Sequence, residues 1–441
     1  MMGRKNKQLC MIVLDMEDMI PETHLLRKIK AKIDFDFIYK EAESYYSQVG
    51  RPSIDPVCLI KMLLVGYLYG IRSERRLEEE ITLNIAYRWF CGFDLMDTIP
   101  DHSIFSQNRR RRFKDGSIFR QVFNRIVKDC IETGLVSGET AVSDGSFIPA
   151  NVSWQSKVEV TRLVEKSTVD YLEVLDEELK KTEGYVPAYP SIIEKKELKS
   201  RTDVDCGYIH QDTKKGLGYL AEITVDTKNG IITGMDCYPA NRRESDIILK
   251  HIERQMQDNQ IDIQKLGLDA GYDVGAVHRG LEIMGITGYT GLRFAHNNPM
   301  KEQFTYQPEE DTFICKEGKE LPFAKLIFKK GTGYYRLYRI KPRSCGSCTK
   351  RSECKTTSGS IRINASPYYP AYYANRERYE TPDYVKVKRL RGIWAEGTFA
   401  VLKNFHNLKR HRKRGIYRAT EECLLSATAL NLKRFIKAVS A

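Results

Sequence analysis

Between His24 and about Gly138 the apolar residues recur at three- and four-residue spacing, as in Leu59, Met62, Leu63 and Leu64 running on to Tyr67 and Leu68, which predicts helices. Asp55-Pro56 is a helix start, with Asp as the N-cap and Pro in the first turn; Ser73 opens a second helix whose buried stripe is Leu77, Ile81, Ile85 and Trp89. Asp101 to Phe113 is a short helix closing on Arg109, Arg110, Arg111 and Arg112. From Thr140 the period changes. Ala141 to Ile148 is short and β-prone between Gly138 and Pro149, and Tyr219–Val225 and Ile231–Cys237 form a hairpin around an Asn229-Gly230 turn. Ser245–Met256 is an amphipathic helix, Lys265–Asp269 a strand ending on a carboxylate, Val274–Met284 a helix and Ile286–Thr290 a strand. That order predicts a mixed α/β sheet with helices packed against it.

Other stretches are less regular. Residues 157–200 are highly charged and expected to be a partly helical insertion or linker, residues 293–382 are rich in Tyr, Lys and Cys, and the chain turns helical again from Tyr384. The expected organisation is a helical domain over 1–138, a sheet domain beginning at 139–292, a Cys-rich insertion at 293–382 and a helical last part of the sheet domain at 383–441.

Composition narrows the class. The 441 residues carry 71 Lys+Arg against 58 Asp+Glu, a net charge of +13, with 25 Tyr and 17 Phe, so a globular chain with a polyanionic partner is expected rather than a disordered one. The apolar run Leu9–Leu14 is far too short to span a bilayer and acids follow it, so no signal peptide or membrane span is expected. Eleven cysteines spread along so long a chain argue against a disulfide framework and for a reducing cytoplasm.

The position of the charge says more than its sum. Between Tyr384 and Arg418 eleven Lys and Arg residues surround one acid, Glu396. Lys403 lies seven residues on, about 10 Å along the same helix face, which suits a metal ligand beside a phosphate contact. Asp144 in the first strand and Asp269 at the end of a later one come together if those strands are parallel neighbours. Three close acids repel one another, and divalent metal relieves this: two Mg²⁺ ions roughly 3.5–4 Å apart activate a water or 3′-hydroxyl and stabilise the leaving oxygen in phosphodiester displacement. The candidate catalytic and Mg²⁺-binding residues are therefore Asp144, Asp269 and Glu396, with Mn²⁺ as a substitute ion. The candidate DNA contacts are Lys403, Arg389, Arg391, Lys409, Arg410, Arg412, Lys413 and Arg414, together with Arg109, Arg110, Arg111 and Arg112, whose helical module is of the helix-turn-helix kind. The bland alternative for that module is an ordinary bundle with solvated arginines. Asp273, four residues beyond Asp269, reads as a helix N-cap, and Trp394 as packed under the helix that carries Glu396.

Cys345 and Cys348 form a Cys-x2-Cys knuckle, Cys354 follows, and Cys315 lies upstream; four thiolates suit tetrahedral Zn²⁺, and the expectation is a zinc-stabilised insertion. No thioredoxin-like strand-helix context supports a redox role instead.

At these residues the chain resembles the bacterial insertion-sequence transposases with a DDE triad on a ribonuclease-H-like fold, in the cysteine-containing branch with an InsH-type N-terminal domain. Gly50-Arg51-Pro52, Asp55-Pro56, Gly66–Ser73 and Pro100-Asp101-His102 carry the N-terminal likeness. Asp144–Asn151 and Asp269–Asp273 carry the two aspartate motifs, and Gly392–Phe399 with Lys403, Arg414-Gly415 and Asn431–Arg434 the glutamate region. The resemblance implies binding to double-stranded DNA at terminal inverted repeats and at a target, Mg²⁺-dependent cleavage and strand transfer, a homodimer or larger assembly on paired ends, and a nucleoid location. It also implies a Cys-x2-Cys-x5-Cys run between the second aspartate and the glutamate. Related chains often read Tyr-x2-Arg-x3-Glu-x6-Lys; here Glu396 and Lys403 fit, while Arg389 holds the tyrosine place and Gly392 the arginine place, which leaves Arg391 or Arg389 to act for the arginine. A ribonuclease-H-like nuclease that cuts without joining, and a catalytically silent zinc-bearing DNA-binding protein, are the two alternatives.

Overall fold

The computed structural model describes residues 15–47, 49–50, 53–166, 173–187, 191–211, 214–293, 303–329, 333–340, 344–345, 348–350 and 361–440. The chain divides into two compact units, one of Met1–Ile126 with Asn404–Asn407 and Leu424–Ala441, the other of Val127–Lys403 with Leu408–Cys423. The first unit thus stops short of residue 138, and the helical segment expected over 383–441 is divided between the two. No described helix is long and apolar enough to cross a membrane.

The first unit is helical: α1 (Leu25–Lys32), α2 (Phe37–Ala42), α3 (Pro56–Leu68), α4 (Glu74–Leu83), α5 (Ile85–Cys91), α6 (Ser103–Arg111) and the start of α7 (Ser117–Glu132). Its signals are local. Asp55 accepts from the amides of Val57 and Cys58 ahead of Pro56, and Ser73 accepts from Arg76. Helix α3 is buried along almost its whole length, and its last turn is capped from the distant segment, the Asn407 side chain donating to the Gly66 carbonyl at 3.1 Å. The stripe expected to run from Leu77 to Trp89 on one helix is split, because Asn84 adopts an extended conformation and its side chain accepts from Tyr87, ending α4 and starting α5.

The second unit is built on a six-stranded mixed sheet. Its strands are β1 (Thr140–Pro149), β4 (Gly207–Gln211), β5 (Lys214–Asp226), β6 (Ile232–Pro239), β7 (Lys265–Leu268) and β8 (Thr287–Thr290), in the order β4-β5-β1-β7-β8 with β6 also on β5. β5 runs antiparallel to β1, and its far edge pairs first with β4 and then with β6. β7 and β8 run parallel to β1. The β5–β6 turn is the expected one, with Gly230 at φ 74°. Helices α9 (Glu244–Asn259) and α10 (Gly275–Ile283) follow β6 and β7 as the sequence pattern predicts.

Two charged or aperiodic stretches prove to be β-structure. Residues 157–200 contain β2 (Lys157–Lys166) and β3 (Ser191–Ser200) paired over ten residues, with the short α8 (Glu173–Lys180) between them. A two-stranded ribbon has little apolar face to bury, so its charges mask the two-residue alternation. Residues 293–382 contain a five-stranded antiparallel sheet, β9 (Phe304–Gln307), β10 (Thr312–Cys315), β11 (Glu320–Lys329), β12 (Gly333–Arg339) and β13 (Arg362–Ala365), followed by α11 (Tyr369–Arg378). The tyrosines form its core, Tyr306 packing on Phe313, Tyr338, Tyr369 and Tyr373. Three helices end the chain: α12 (Pro382–Arg391), α13 (Gly397–Phe405) and α14 (Ile416–Val439).

Candidate active site

Two parallel strands set the first pair of acids. β1 and β7 pair from Thr140 opposite Lys265 to Val142 opposite Gly267, and the same step carried two residues further sets Asp144 beside Asp269. β7 ends at Leu268. Asp269 therefore leaves the sheet, and its Oδ1 accepts from the Gly271 amide at 2.6 Å, capping a 3₁₀ turn over Ala270–Tyr272. The capping role expected of Asp273 falls to Asp269 itself: Asp273 is buried and accepts from His278 Nε2 at 2.9 Å, while α10 begins after Val274 without a side-chain cap.

The third acid arrives on a helix. α12 lies close on β7 because Gly267 has no side chain; a Cβ there would come within 2.5 Å of Val387 Cγ1. At Arg391 the helix widens into one π-helical turn, Gly392–Glu396, before α13. A π turn shifts the angular position of the side chains that follow it, and such turns gather at functional sites. Trp394, in that turn, packs against the β5–β6 turn, its ring filling the place a side chain at Gly230 would need. Arg391 then joins the acids: Nη2 donates to Glu396 Oε1 at 2.6 Å and Nη1 lies 3.6 Å from Asp144 Oδ1. Of the two arginines that could act for the one missing at position 392, it is Arg391 that touches the acids, and Arg389 is exposed.

The electrostatics follow. Burial pushes the Asp144 carboxyl up to about 7; Arg391 opposes this, while Asp269, Glu244 and Glu396 reinforce it. Two of the acids around Asp144 escape a reading of motifs. Glu222, on β5, is fully buried and pushed well above the usual carboxylate range by that burial, although Tyr272 donates to its Oε1 at 2.7 Å. Glu244 opens α9. A Cβ on Gly145 would lie 2.8 Å from Glu244 Oε1 and 3.0 Å from Glu222 Oε2, and a Cβ on Gly271 would lie 2.9 Å from Glu244 Oε2. The glycines just after Asp144 and Asp269 make room for these carboxylates, and they were the available sequence signal.

The basic residues divide sharply. Lys403 Nζ donates to Ser146 Oγ at 2.7 Å, two residues along β1 from Asp144 and on the same face. Lys409 and Arg389 are exposed. The rest of the 409–414 run is engaged within its own unit: Arg410 donates to the carbonyls of Ala150 and Val152, Arg414 to that of Asn151, Arg412 to Glu422 at 3.2 Å and Lys413 to Glu421 at 2.5 Å. Of these four expected DNA contacts, Arg412 and Lys413 supply the countercharge that buried Glu421 and Glu422 need, while Arg410 and Arg414 are exposed beyond their carbonyl partners. In the helical unit Arg109 likewise turns inward to Glu74 at 2.7 Å, and Arg112 stacks on Tyr46 and donates to Asn108. Consecutive helix positions point about 100° apart, so the four arginines cannot share one face; Arg110 and Arg111 are the exposed pair.

Of the four cysteines expected to bind zinc, Cys354 lies outside the described residues. Cys345 is buried in the aromatic core of the five-stranded sheet with Cys348 packed against it, and Cys315, at the end of β10, accepts from the Lys319 amide at 3.3 Å.

Residues 14–111 match the family described as Transposase domain (DUF772), and residues 314–436 match Transposase DDE domain. Among solved structures the chain is similar to a piggyBac transposase synaptic complex with hairpin DNA, at 9% identity and TM-score 0.34 over 94% of this chain and 74% of that one. It is also similar to a Mos1 mariner paired-end complex with Mn, at 8% identity and TM-score 0.17 over 57% and 64%. No curated protein matches the chain. With a transposase domain followed by a transposase DDE domain, the chain belongs to the DDE transposases of insertion sequences, enzymes that cut DNA strands and transfer them.

Proposed function

We propose that Asp144, Asp269 and Glu396 are the DDE triad, that they hold two Mg²⁺ ions, with Mn²⁺ able to replace them, and that the substrate is the terminal inverted repeat of the element and then a target duplex. The observation that carries this reading is the convergence of three acids from β1, the end of β7 and the π turn, with one guanidinium between two of them. The donor set is hard oxygen, and Glu222 and Glu244 stand close behind it. The Asp144 carboxyl is held up near 7 by burial first and by Asp269, Glu244 and Glu396 after it, a state that a divalent ion would relieve. When bound, the ions supply the activation of a water or 3′-hydroxyl and the stabilisation of the leaving oxygen.

The chain's own residues do the rest. Arg391 holds Glu396 toward Asp144 and is the group that must yield as the ions enter. Lys403, anchored by Ser146, reaches a phosphate next to the cut, and exposed Lys409, Arg389, Arg110 and Arg111 take phosphates further along the duplex. The sheet order β6-β5-β1-β7-β8, three antiparallel strands and then two parallel ones, is the reason to read the core as ribonuclease-H-like. Cutting frees a 3′-hydroxyl that attacks target DNA in line without ATP, and holding two ends together calls for a dimer or larger assembly. Cys315, Cys345, Cys348 and Cys354 are proposed as a structural zinc knuckle; Cys348→Ser should lower the zinc content by one equivalent per chain in elemental analysis, and an unchanged zinc content in that variant would sink it. The test of the function is strand transfer with pre-cleaved ends: joined products in Mg²⁺ are expected, and cutting of uncleaved ends without any joining would reduce the protein to a nuclease.

A further inference from the structure

A second cluster of ligand atoms lies in the sheet unit. Cys237 on β6, Cys423 on α14 and His411 in the preceding loop are all buried, and their two sulfurs and one ring nitrogen lie within 4.8 Å of one another. Both thiols are free. The imidazole is fixed from every side. Its Nδ1 donates to the buried Glu422 carboxylate at 2.9 Å, the Tyr219 ring meets it edge-on at 5.3 Å, and its backbone amide donates to the Pro149 carbonyl at 2.9 Å. That leaves Nε2 buried with no hydrogen-bond partner, a costly state for a ring nitrogen.

We propose that Cys237, Cys423 and His411 form a zinc site that ties α14 and the basic loop to the edge of the catalytic sheet. The chemistry fits in three respects. With Zn–S near 2.3 Å and Zn–N near 2.0–2.1 Å, ligand atoms in a tetrahedron sit about 3.5–4 Å apart, so small adjustments close the cluster on one ion. Two thiolates and a neutral imidazole leave Zn²⁺ neutral overall, as so buried a place requires. And a histidine whose other nitrogen is held by a carboxylate is the usual support for a zinc ligand, Glu422 here fixing the tautomer that turns a lone pair on Nε2 toward the metal. Binding releases two protons: each S–H bond breaks, both sulfur electron pairs go to zinc, and the protons go to solvent. The fourth position is left to a water. In the metal-free protein burial keeps the Cys237 thiol protonated, its pKa pushed well up with the neighbouring Cys423 thiol adding to the effect.

The test uses the full chain with Cys345→Ser and Cys348→Ser, so that the knuckle cannot contribute metal. After zinc loading and removal of free ion, about one zinc per chain is expected, falling to none when Cys423→Ser is added. Glu422→Gln should weaken zinc binding by about 10–100-fold, the usual effect of losing such a supporting partner. Should the cysteine variant fold poorly, cobalt in the otherwise intact chain decides: sulfur-to-cobalt charge-transfer absorption that falls by one cobalt per chain in Cys423→Ser supports the proposal, and equal absorption in both proteins overturns it. No bound metal with Cys237 and Cys423 counted as free thiols, or a Cys237–Cys423 disulfide in protein prepared without reductant, overturns it.

Discussion

Two groups of acids in the same unit meet opposite fates. Glu421 and Glu422 are met by the cations Lys413 and Arg412 and by a hydrogen bond from His411, and are spared any excess of charge. Asp144 faces Asp269, Glu396 and Glu244 against the opposing guanidinium of Arg391, so repulsion adds to burial. For Glu422 burial pushes upward too, but the His411 hydrogen bond and the charges of Lys413 and Arg412 win and hold the carboxyl down to about 2. One place is buried and complete; the other, where Glu396 is exposed, is built to accept more positive charge. The difference separates scaffold from site more reliably than the count of bases around either.

Breaking the complete pair should have the largest effect on stability. Glu422→Ala leaves His411 and Arg412 without their acceptor, and a loss of about 3–5 kcal/mol is expected in denaturant unfolding. The pH dependence has a definite sign. A carboxyl depressed from 4.5 to about 2 stabilises the fold above pH 4.5, and that stabilisation disappears as pH falls toward 2, so wild type should lose stability across this window where Glu422→Ala does not.

The incomplete site should respond in the opposite direction. A carboxyl raised from 3.8 to about 7 has its favourable, protonated form below pH 3.8, and stability is lost as pH rises through 7. Asp144→Asn should therefore raise the unfolding free energy of metal-free protein at pH 8, by an amount on the order of 1–3 kcal/mol, and leave it little changed at pH 4. Adding Mg²⁺ at pH 8 should stabilise wild type and not Asp144→Asn; equal metal shifts in both would contradict the site. The smallest effects belong to the exposed bases. Lys409→Ala and Arg389→Ala should each cut the salt dependence of DNA binding by about one unit of slope with little change in stability, whereas Arg412→Ala should lower stability first.

Much of this was legible along the chain, and the reason is locality. Asp55-Pro56, Ser73 and Asn229-Gly230 are short-range signals that fix helix starts and a turn, and the β1–β7 pairing that brings Asp144 to Asp269 follows from the order of the elements. What was hidden depends on pairing across the chain. The β2–β3 ribbon is too charged and the β9–β13 sheet too rich in tyrosine to show a strand period. The eleven bases around Glu396 read as one nucleic-acid surface because the acids that engage several of them, Glu421 and Glu422, come later in the chain. Glu222 and Glu244 carry no motif, and only the glycines beside the aspartates hint at them.

Metal-dependent cleavage of a duplex carrying the element's terminal repeat tests the central claim most directly. Asp144→Asn, Asp269→Asn and Glu396→Gln, each shown to be folded, are compared with wild type in Mg²⁺ and Mn²⁺. Losing a metal ligand removes several kcal/mol of transition-state stabilisation, so each variant should cut at least about 10³-fold more slowly. Undiminished cutting by any one of the three would contradict the triad.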